Sequence, residues 1–292
     1  MKKKKEQRKM PEAFKTPYLN PAARAFDPAK IKAVFIDADG TLVSFRTHRV
    51  PGSALDAIKR LKAGGRKVLL ATGRSITALG RLAELPFDGY VCSSGQFCLN
   101  AEKELIRRQS LDPEDIRRLC AFLEKQKESG RPPYDFCFIG SEESAFNHIS
   151  PSTKALCEAL DFPLFPCKSP AELADGCWLQ LMFFGAYKEQ YEVMRLLPHA
   201  AATRWHEGFI DIMPRSGGKD IGLGIMADYL GLRPEDCLAA GDGENDIPML
   251  EKAGFAVAMG NATPATKEAA DLVTASVDED GLFKAFRFLA LI

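Results

Sequence analysis

Short apolar runs that end abruptly in polar loops restrict the fold of this chain more than any other feature of its sequence. Residues 33–36 form the first run, and the sequence Asp-Ala-Asp-Gly-Thr follows it at residues 37–41. The second run, residues 67–71, leads into Thr72 and a second predicted helix. Between the two runs, apolar side chains recur at helical spacing from Ser53, a predicted N-cap. A strand, a helix and another strand in quick succession predict a βαβ unit and a parallel sheet.

The same alternation returns near the C-terminus. A helical pattern over residues 219–230 precedes an apolar run at 237–240, which ends in the loop 241–246. Another strand pattern follows at residues 255–258. The fold class predicted for the two ends of the chain is therefore α/β.

The middle of the chain has a different pattern. Helical stretches at residues 112–127 and 187–198 mix with strand-like stretches at 135–139 and 178–184. We therefore expect an inserted α+β domain at residues 85–206. The core would then consist of residues 31–84 and 207–292, and residues 1–30 would form a basic, flexible tail.

Charge and composition exclude several classes of partner. The chain holds 39 Lys and Arg against 39 Asp and Glu, so nothing global favours nucleic acid or a membrane surface. No apolar stretch is long enough for a transmembrane helix. Residues 1–9 are basic, and we interpret them as a solvated tail or as the product of a start codon upstream of Met10. Anchoring to RNA or to an anionic surface is the less favoured alternative.

The eight cysteines are scattered, without a Cys-x-x-Cys pair or a Cys/His cluster. This pattern predicts reduced, buried thiols in a cytoplasmic protein. We expect a monomer or a homodimer.

Polar side chains follow the apolar strands where ligands bind in open parallel sheets. Asp37 and Asp39 stand on one such loop, and Asp242 and Asp246 on another. Carboxylates brought close together repel each other unless a hard cation such as Mg²⁺ lies between them. A carboxylate at such a site can attack phosphorus, and a second one can transfer protons.

Four sequence motifs, taken in order, resemble those of the haloacid dehalogenase-like hydrolase superfamily. They are Asp37-Ala38-Asp39-Gly40-Thr41-Leu42, Thr72-Gly73-Arg74, Lys219, and Gly241-Asp242-Gly243-Glu244-Asn245-Asp246. Together with Ser93-Ser94-Gly95, the large insertion resembles the Cof-type branch, which has a type IIB cap. The resemblance covers about residues 31–290 and implies a Rossmann-like, doubly wound core with an α+β cap domain.

The resemblance also implies catalytic and metal-binding roles. Asp37 would be the nucleophile and a Mg²⁺ ligand, and Asp39 would be the general acid and base. Asp39 would also give the metal its backbone carbonyl. Asp242 would bind Mg²⁺ directly, and Asp246 would complete or orient the water shell of the metal.

The implied phosphate-binding residues are Thr72, Gly73, Lys219 and Asn245, with Lys219 neutralising phosphate charge. Two positions differ from the usual family pattern: Ser94-Gly95 stands where Asn-Gly is common, and Asp220 follows the lysine where glycine is common. Neither difference removes a catalytic group.

Three functions are compatible with these residues. The first is a Mg²⁺-dependent phosphomonoester hydrolase that acts on a small phosphorylated metabolite through an aspartyl-phosphate. The second is a phosphomutase on the same core, and the third is a non-catalytic phosphate-binding module. The third is disfavoured because both Asp37 and Asp39 are present.

Overall fold

The computed structural model describes residues 17–160 and 162–292. The basic run at residues 1–9 lies outside the described residues. The chain divides into two compact units. Among the described residues, the first unit comprises those up to Val68 together with Glu235–Ile292, and the second lies within Leu69–Pro234.

The secondary structure of the described residues alternates between short strands and helices. The strands are β1 (Tyr18–Leu19), β2 (Ala33–Asp37), β3 (Lys67–Ala71), β4 (Gly89–Cys92), β5 (Phe97–Asn100), β6 (Leu105–Arg108), β7 (Asp135–Gly140), β8 (Ser144–Phe146), β9 (Trp178–Phe184), β10 (Ala200–His206), β11 (Phe209–Pro214), β12 (Cys237–Gly241), β13 (Phe255–Ala258) and β14 (Leu272–Val273). The α-helices are α1 (Gly52–Ala63), α2 (Pro113–Glu128), α3 (Pro151–Ala159), α4 (Pro170–Leu173), α5 (Glu189–Leu196), α6 (Lys219–Tyr229), α7 (Ile247–Lys252), α8 (Pro264–Ala269) and α9 (Gly281–Phe288).

In the first unit, the strands lie in the order β1-β14-β13-β12-β2. Strand β12 pairs in parallel with β2 and with β13, and β13 pairs in parallel with β14. Every residue of β2, β12 and β13 is buried, which explains their continuous apolar sequences. Because Ile36 stands opposite Ala240, the carboxyl ends of β2 and β12 lie side by side.

Helix α1 begins at Gly52, two residues earlier than a Ser53 cap predicts, and the predicted cap is wrong. Pro51 precedes the helix, and no side chain caps it. The hydroxyl of Ser53 donates instead to the carboxylate of Asp280, at 2.6 Å. The hydroxyl that was predicted to cap the helix is therefore hydrogen-bonded to a residue far away in the sequence.

Residues 17–30, assigned by sequence to the tail, make specific contacts in the first unit. Strand β1 pairs antiparallel with β14 and covers the edge of that strand. Arg24 forms an ion pair of 2.6 Å with Asp271, which is buried, and donates to the carbonyl of Leu250 at 3.0 Å. The ring of Phe26 lies 4.5 Å from that of Phe255. These contacts hold the segment against the unit.

The second unit begins with a different strand arrangement. Strands β3 and β4 are parallel, whereas β4, β5 and β6 are antiparallel neighbours. No α-helix follows β3, contrary to expectation: two short 3₁₀ turns, Ile76–Ala78 and Gly80–Glu84, occupy that stretch. Gly80, the first residue of the second turn, has a φ of 52°, which prevents the two turns from forming one continuous helix.

A separate antiparallel sheet of the second unit has the order β10-β11-β9-β7-β8. Its strands β7 and β9 match the strands predicted at 135–139 and 178–184, and α2 and α5 match the predicted helices. Alternate side chains pack on opposite faces, with Phe136 and Phe138 on one face and Cys137 and Ile139 on the other. Because β11 extends to Pro214, this sheet continues past residue 206; the predicted domain boundaries stay a prediction.

The predicted α/β class is confirmed, with parallel strands dominating the sheet that carries the motifs. Within residues 17–160 and 162–292, no helix combines the length and apolar character needed to span a membrane. All eight cysteines are free, and six of them are buried as predicted, but the prediction of burial is wrong for Cys167 and Cys177, which are exposed. Burial raises the pKa of Cys92 and of Cys98 to about 12, so these thiols remain protonated near neutral pH.

Candidate active site

Three carboxylates of the first unit lie close together at the ends of β2 and β12. Asp37 is the last residue of β2, and Asp242 directly follows β12. One carboxylate oxygen from each of Asp37, Asp242 and Asp246 lies within 4.8 Å of the other two. Asp37 and Asp246 are buried and Asp242 is half-buried. The structure thus brings together three of the four predicted metal-binding residues.

The loop after β2 turns sharply at Gly40. The carbonyl of Ala38 accepts from the amides of Leu42 and Val43, and Gly40 donates to the carbonyl of Val43 at 2.8 Å. Gly40 has a φ of 88°, and a Cβ at this position would lie 2.1 Å from a carboxylate oxygen of Asp242. Both the backbone conformation and the close approach therefore require glycine.

Asp39 lies on this turn and is half-buried. Its backbone bridges to Val43, which fixes the position from which its side chain extends. Its carboxylate is not among the three clustered groups. The role of its backbone carbonyl toward a metal stays a prediction.

Asp246 holds its own loop together. One of its carboxylate oxygens accepts from the amides of Asp242 and Gly243, each at 3.0 Å. A Cβ on Gly241 would lie 2.6 Å from the Asp246 side chain, so the end of β12 passes directly against it. Asn245 lies in the same 3₁₀ turn and is half-buried. Asp246 therefore both shapes the loop and joins the cluster.

Two side chains hold the Asp242 carboxylate. The hydroxyl of Thr41 donates to Oδ1 and the amide of Asn261 donates to Oδ2, both at 3.1 Å. Thr41 was predicted only as part of a motif, and Asn261 was not predicted. No local signal marks Asn261, because its partner Gly40 lies 221 positions away.

The remaining predicted residues belong to the second unit. Thr72 is buried directly after β3, and its hydroxyl accepts from the amide of Arg74 at 3.1 Å. Gly73 is exposed. Lys219 is the first residue of α6, and only 2% of it is exposed, which excludes an ordinary surface lysine. How these residues are placed relative to Asp37 stays a prediction.

The turn Ser93–Gly95 connects Thr72 with the start of α6. The amide of Ser94 donates to the carbonyl of Thr72 at 2.9 Å. Ser93, Ser94 and Gly95 have φ values of 47°, 52° and 97°, three left-handed residues in succession. Gly95 packs so tightly that an added Cβ would lie 2.0 Å from the carbonyl oxygen of Gly218. Backbone strain of this kind is typical of functional sites.

Gly95→Ala tests whether this turn sets the position of Lys219. The new methyl group would push against the Gly218 backbone, and in the phosphate-binding role that the sequence predicts for Lys219, a displacement of about 1 Å would cost about 10²-fold in rate. We expect kcat/KM to fall by about that factor, measured with a phosphate ester under metal saturation.

Gly130→Ala is the matched control. Gly130 also has a positive φ, 69°, but a Cβ there meets no atom within 4 Å. It reproduces the conformational strain without the collision. Equal losses of activity in the two variants would contradict the proposed coupling between the turn and α6.

A second group of possible metal ligands in the second unit has protein partners. Asp112 caps α2 by accepting from the amide of Glu114 at 2.8 Å. Asp115 is buried and accepts from Arg118 and from the amide of His199, at 3.0 and 2.9 Å. These hydrogen bonds and the ion pair give the cluster a structural role that needs no metal ion.

The three clustered carboxylates of the first unit fit a Mg²⁺ ion. Each offers an oxygen, the donor that Mg²⁺ prefers, and their mutual distances are compatible with a shared cation. Three carboxylates this close repel one another when no cation lies among them. The chemistry of the donor set thus favours a divalent metal over a purely structural role.

Ligands of open α/β sheets bind outside the carboxyl ends of parallel strands, which is where the three carboxylates cluster. The family model described as haloacid dehalogenase-like hydrolase matches residues 34–286. The chain belongs to this family of hydrolases. The family predicted from the four motifs, including its Cof-type, type IIB branch, is confirmed.

Individual proteins of known sequence or structure are similar to this chain over most of its length. YkrA of Bacillus subtilis (strain 168) is 31% identical over 265 residues, which cover 89% of this chain and 98% of YkrA. The structure of the phosphatase BT1666 from Bacteroides thetaiotaomicron matches with a TM-score of 0.81 and 33% identity, covering 90% of this chain and 96% of that one. The subclass IIB sugar phosphatase BT4131 matches with a TM-score of 0.79 and 33% identity, covering 89% of this chain and 100% of that one.

Proposed function

We propose that this hydrolase is a Mg²⁺-dependent phosphatase that cleaves a small phosphorylated metabolite through an aspartyl-phosphate intermediate. The observation that carries the proposal is the carboxylate cluster, in which a carboxylate oxygen of Asp37 lies within 4.8 Å of one from Asp242 and one from Asp246. The similarity to two structurally characterised phosphatases supports it. A phosphomonoester is the substrate class that this chemistry serves.

The proposed reaction has two displacements at phosphorus. In the first, a carboxylate oxygen of Asp37 attacks phosphorus, the ester P–O bond breaks, and protonated Asp39 gives its proton to the leaving alkoxide. In the second, Asp39 takes a proton from water, the water oxygen attacks phosphorus, and the bond to Asp37 breaks. Inorganic phosphate leaves, and both carboxyl groups return to their starting states.

Asp37, Asp242 and Asp246 would hold the metal, together with the backbone carbonyl of Asp39. A bound Mg²⁺ supplies charge neutralisation between the phosphate and the carboxylates, and it polarises the phosphoryl oxygens. The carboxylates of Asp37 and Asp242 come from adjacent parallel strands, so the fold places them before any ligand arrives.

Thr72, Gly73, Lys219 and Asn245 would bind the transferring phosphoryl group. A hydroxyl, a backbone amide, an ammonium group and a side-chain amide provide the donors that developing oxygen charge requires. The burial of Lys219 supports this assignment, because a lysine that serves only to solvate the surface would be exposed.

The inserted residues 85–206 would act as the cap that selects the substrate. A domain that closes on a bound phosphate excludes water and strengthens electrostatic contacts to the phosphate. A closed chamber accommodates a compact metabolite rather than a macromolecule.

Release of inorganic phosphate from a panel of phosphorylated metabolites tests the proposed function. We expect turnover of at least one small ester in the presence of Mg²⁺ without a bisphosphate activator. A requirement for the activator, with transfer of the phosphoryl group to a second sugar hydroxyl, would identify a phosphomutase instead. Binding of phosphate esters without turnover would identify a non-catalytic module.

Activity should depend strictly on Mg²⁺, and Asp242→Asn should impair it more than Asp246→Asn. Removing one charge from a site of three carboxylates should raise the Mg²⁺ concentration for half-maximal activity by about 10²-fold or more. Metal titration of the chelator-treated enzyme measures this shift. Full activity in excess chelator would contradict the proposed metal site.

Substrate size gives a second test of the proposed function. We expect efficient hydrolysis of compact phosphate esters and poor hydrolysis of a folded phosphoprotein or of a phosphorylated nucleic-acid end. Steady-state kcat/KM values for the three substrate classes provide the comparison. A phosphoprotein that matches the best small ester would rule out a closed chamber, although it would leave the catalytic assignments standing.

A further inference from the structure

Asn261 connects three segments of the first unit through one side-chain amide. Its Nδ2 donates to the carbonyl of Gly40 at 2.8 Å and to Oδ2 of Asp242 at 3.1 Å. Its Oδ1 accepts from the backbone amide of Val277 at 2.9 Å. The amide nitrogen therefore contacts both loops that carry the clustered carboxylates.

The partners of this amide fix its orientation. Both groups near Nδ2 are oxygens that only accept, and the group near Oδ1 is an N–H that only donates. Exchanging oxygen and nitrogen would place an acceptor against two acceptors, so only one orientation satisfies all three contacts. Val277 thereby holds the Asn261 amide in the orientation that Asp242 requires.

The Asp242 carboxylate is consequently held on both oxygens. Thr41 donates to Oδ1 and Asn261 donates to Oδ2. A carboxylate oxygen accepts more than one contact, so these bonds set the plane of the carboxylate while an oxygen also serves a cation. Hydrogen bonds of this kind orient metal ligands and tune metal affinity.

Asn261 also links the two loops. Gly40 lies in the turn that follows Asp37 and bears Asp39, and its carbonyl and the Asp242 carboxylate share the same amide nitrogen of Asn261. If this nitrogen were lost, the hydroxyl of Thr41 would still join the two loops through Oδ1 of Asp242, but Oδ2 of Asp242 and the Gly40 carbonyl would lose their shared donor.

We propose that Asn261 is a positioning residue of the metal site, which orients Asp242 and holds the Gly40 turn against it. This inference rests on the proposed function, because it requires that the cluster of Asp37, Asp242 and Asp246 binds a divalent cation. In this role Asn261 acts on the metal ligand Asp242 rather than on the substrate or the reacting atoms. Its effect on the reaction passes through Asp242.

Direct metal binding to the substrate-free protein tests this role. Binding of Mg²⁺ is measured by calorimetry, and binding of Mn²⁺ by the electron paramagnetic resonance signal of the free ion. We expect Asn261→Ala to weaken the Kd by about 10- to 100-fold. Asn261→Leu should be at least as damaging, because its side chain fills the space that a substituting water would enter.

Asn20→Ala is the matched control for loss of a structural amide. Asn20 lies in the same unit, and its Nδ2 donates to the carbonyls of Lys267 and Ala270, away from Asp242. We expect this control to lower the Tm without changing the Kd for metal. Asn261 is exposed, so its own replacement should lower the Tm no more than the control does.

The activity measurement separates positioning from a general structural role. At saturating Mg²⁺, kcat of Asn261→Ala should return to within a few-fold of wild type, whereas at low Mg²⁺ it should fall in proportion to the weakened Kd. Unchanged metal affinity in both Asn261 variants would overturn the positioning role and leave the proposed function intact. A wild-type protein that binds neither cation would overturn both.

Discussion

Asp37→Asn should abolish turnover, with kcat reduced by about 10³-fold or more, because an amide cannot form the covalent phosphoryl intermediate. The substitution preserves the size of the side chain at the buried end of β2. Single-turnover measurements at saturating Mg²⁺ separate this loss from weaker metal binding. Retention of the wild-type kcat would rule out Asp37 as the nucleophile.

The stability of Asp37→Asn provides an independent check. In metal-free buffer, the variant removes one of three clustered negative charges, so repulsion falls and the Tm should stay equal to or exceed that of wild type. Asp56→Asn is the matched control, since the contact of Asp56 with the described residues is an exposed i,i+4 ion pair with Arg60. We expect the control to retain both the kcat and the Tm of wild type. A large fall in the Tm of Asp37→Asn would show that lost folding, rather than lost chemistry, explains its inactivity.

The sequence was most informative where local pattern and chemistry coincide. Buried parallel strands have continuous apolar sequences, so the ends of β2 and β12 could be located to within a residue, and with them Asp37 and Asp242. Parallel strands then place their carboxyl ends at one edge. The cluster of Asp37, Asp242 and Asp246 follows from these two facts and from a loop of a few residues.

The features that the sequence did not predict depend on contacts between residues far apart in the chain. Arg24 looked like part of a charged tail because its partner Asp271 is 247 positions away. The neighbouring sequence alone favours the Ser53 hydroxyl as the cap of α1. The fold shows that this hydroxyl donates to Asp280 instead. Asn261 is the clearest case, because its role lies wholly in the partners that the fold brings to it.

Asp39→Asn should slow turnover by about 10²- to 10⁴-fold, the usual contribution of general acid and base catalysis. The turn that carries Asp39 is held by backbone hydrogen bonds between Ala38, Leu42 and Val43, so the amide should occupy the place of the carboxylate. Metal affinity should change little, because the Asp39 carboxylate is outside the three-carboxylate cluster. A metal titration alongside the rate measurement checks this.

The leaving group separates the two proton transfers assigned to Asp39. An ester with a good leaving group, such as p-nitrophenyl phosphate, needs no proton in the first displacement, whereas attack of water in the second still needs a base. Asp39→Asn should therefore release about one equivalent of p-nitrophenol in a rapid burst and then turn over slowly, and the aspartyl-phosphate should accumulate. Asp37→Asn should show no burst. If Asp39→Asn shows none either, and slows alkyl and aryl esters equally, the acid and base roles of Asp39 are wrong, because a proton donor must matter more to the poorer leaving group.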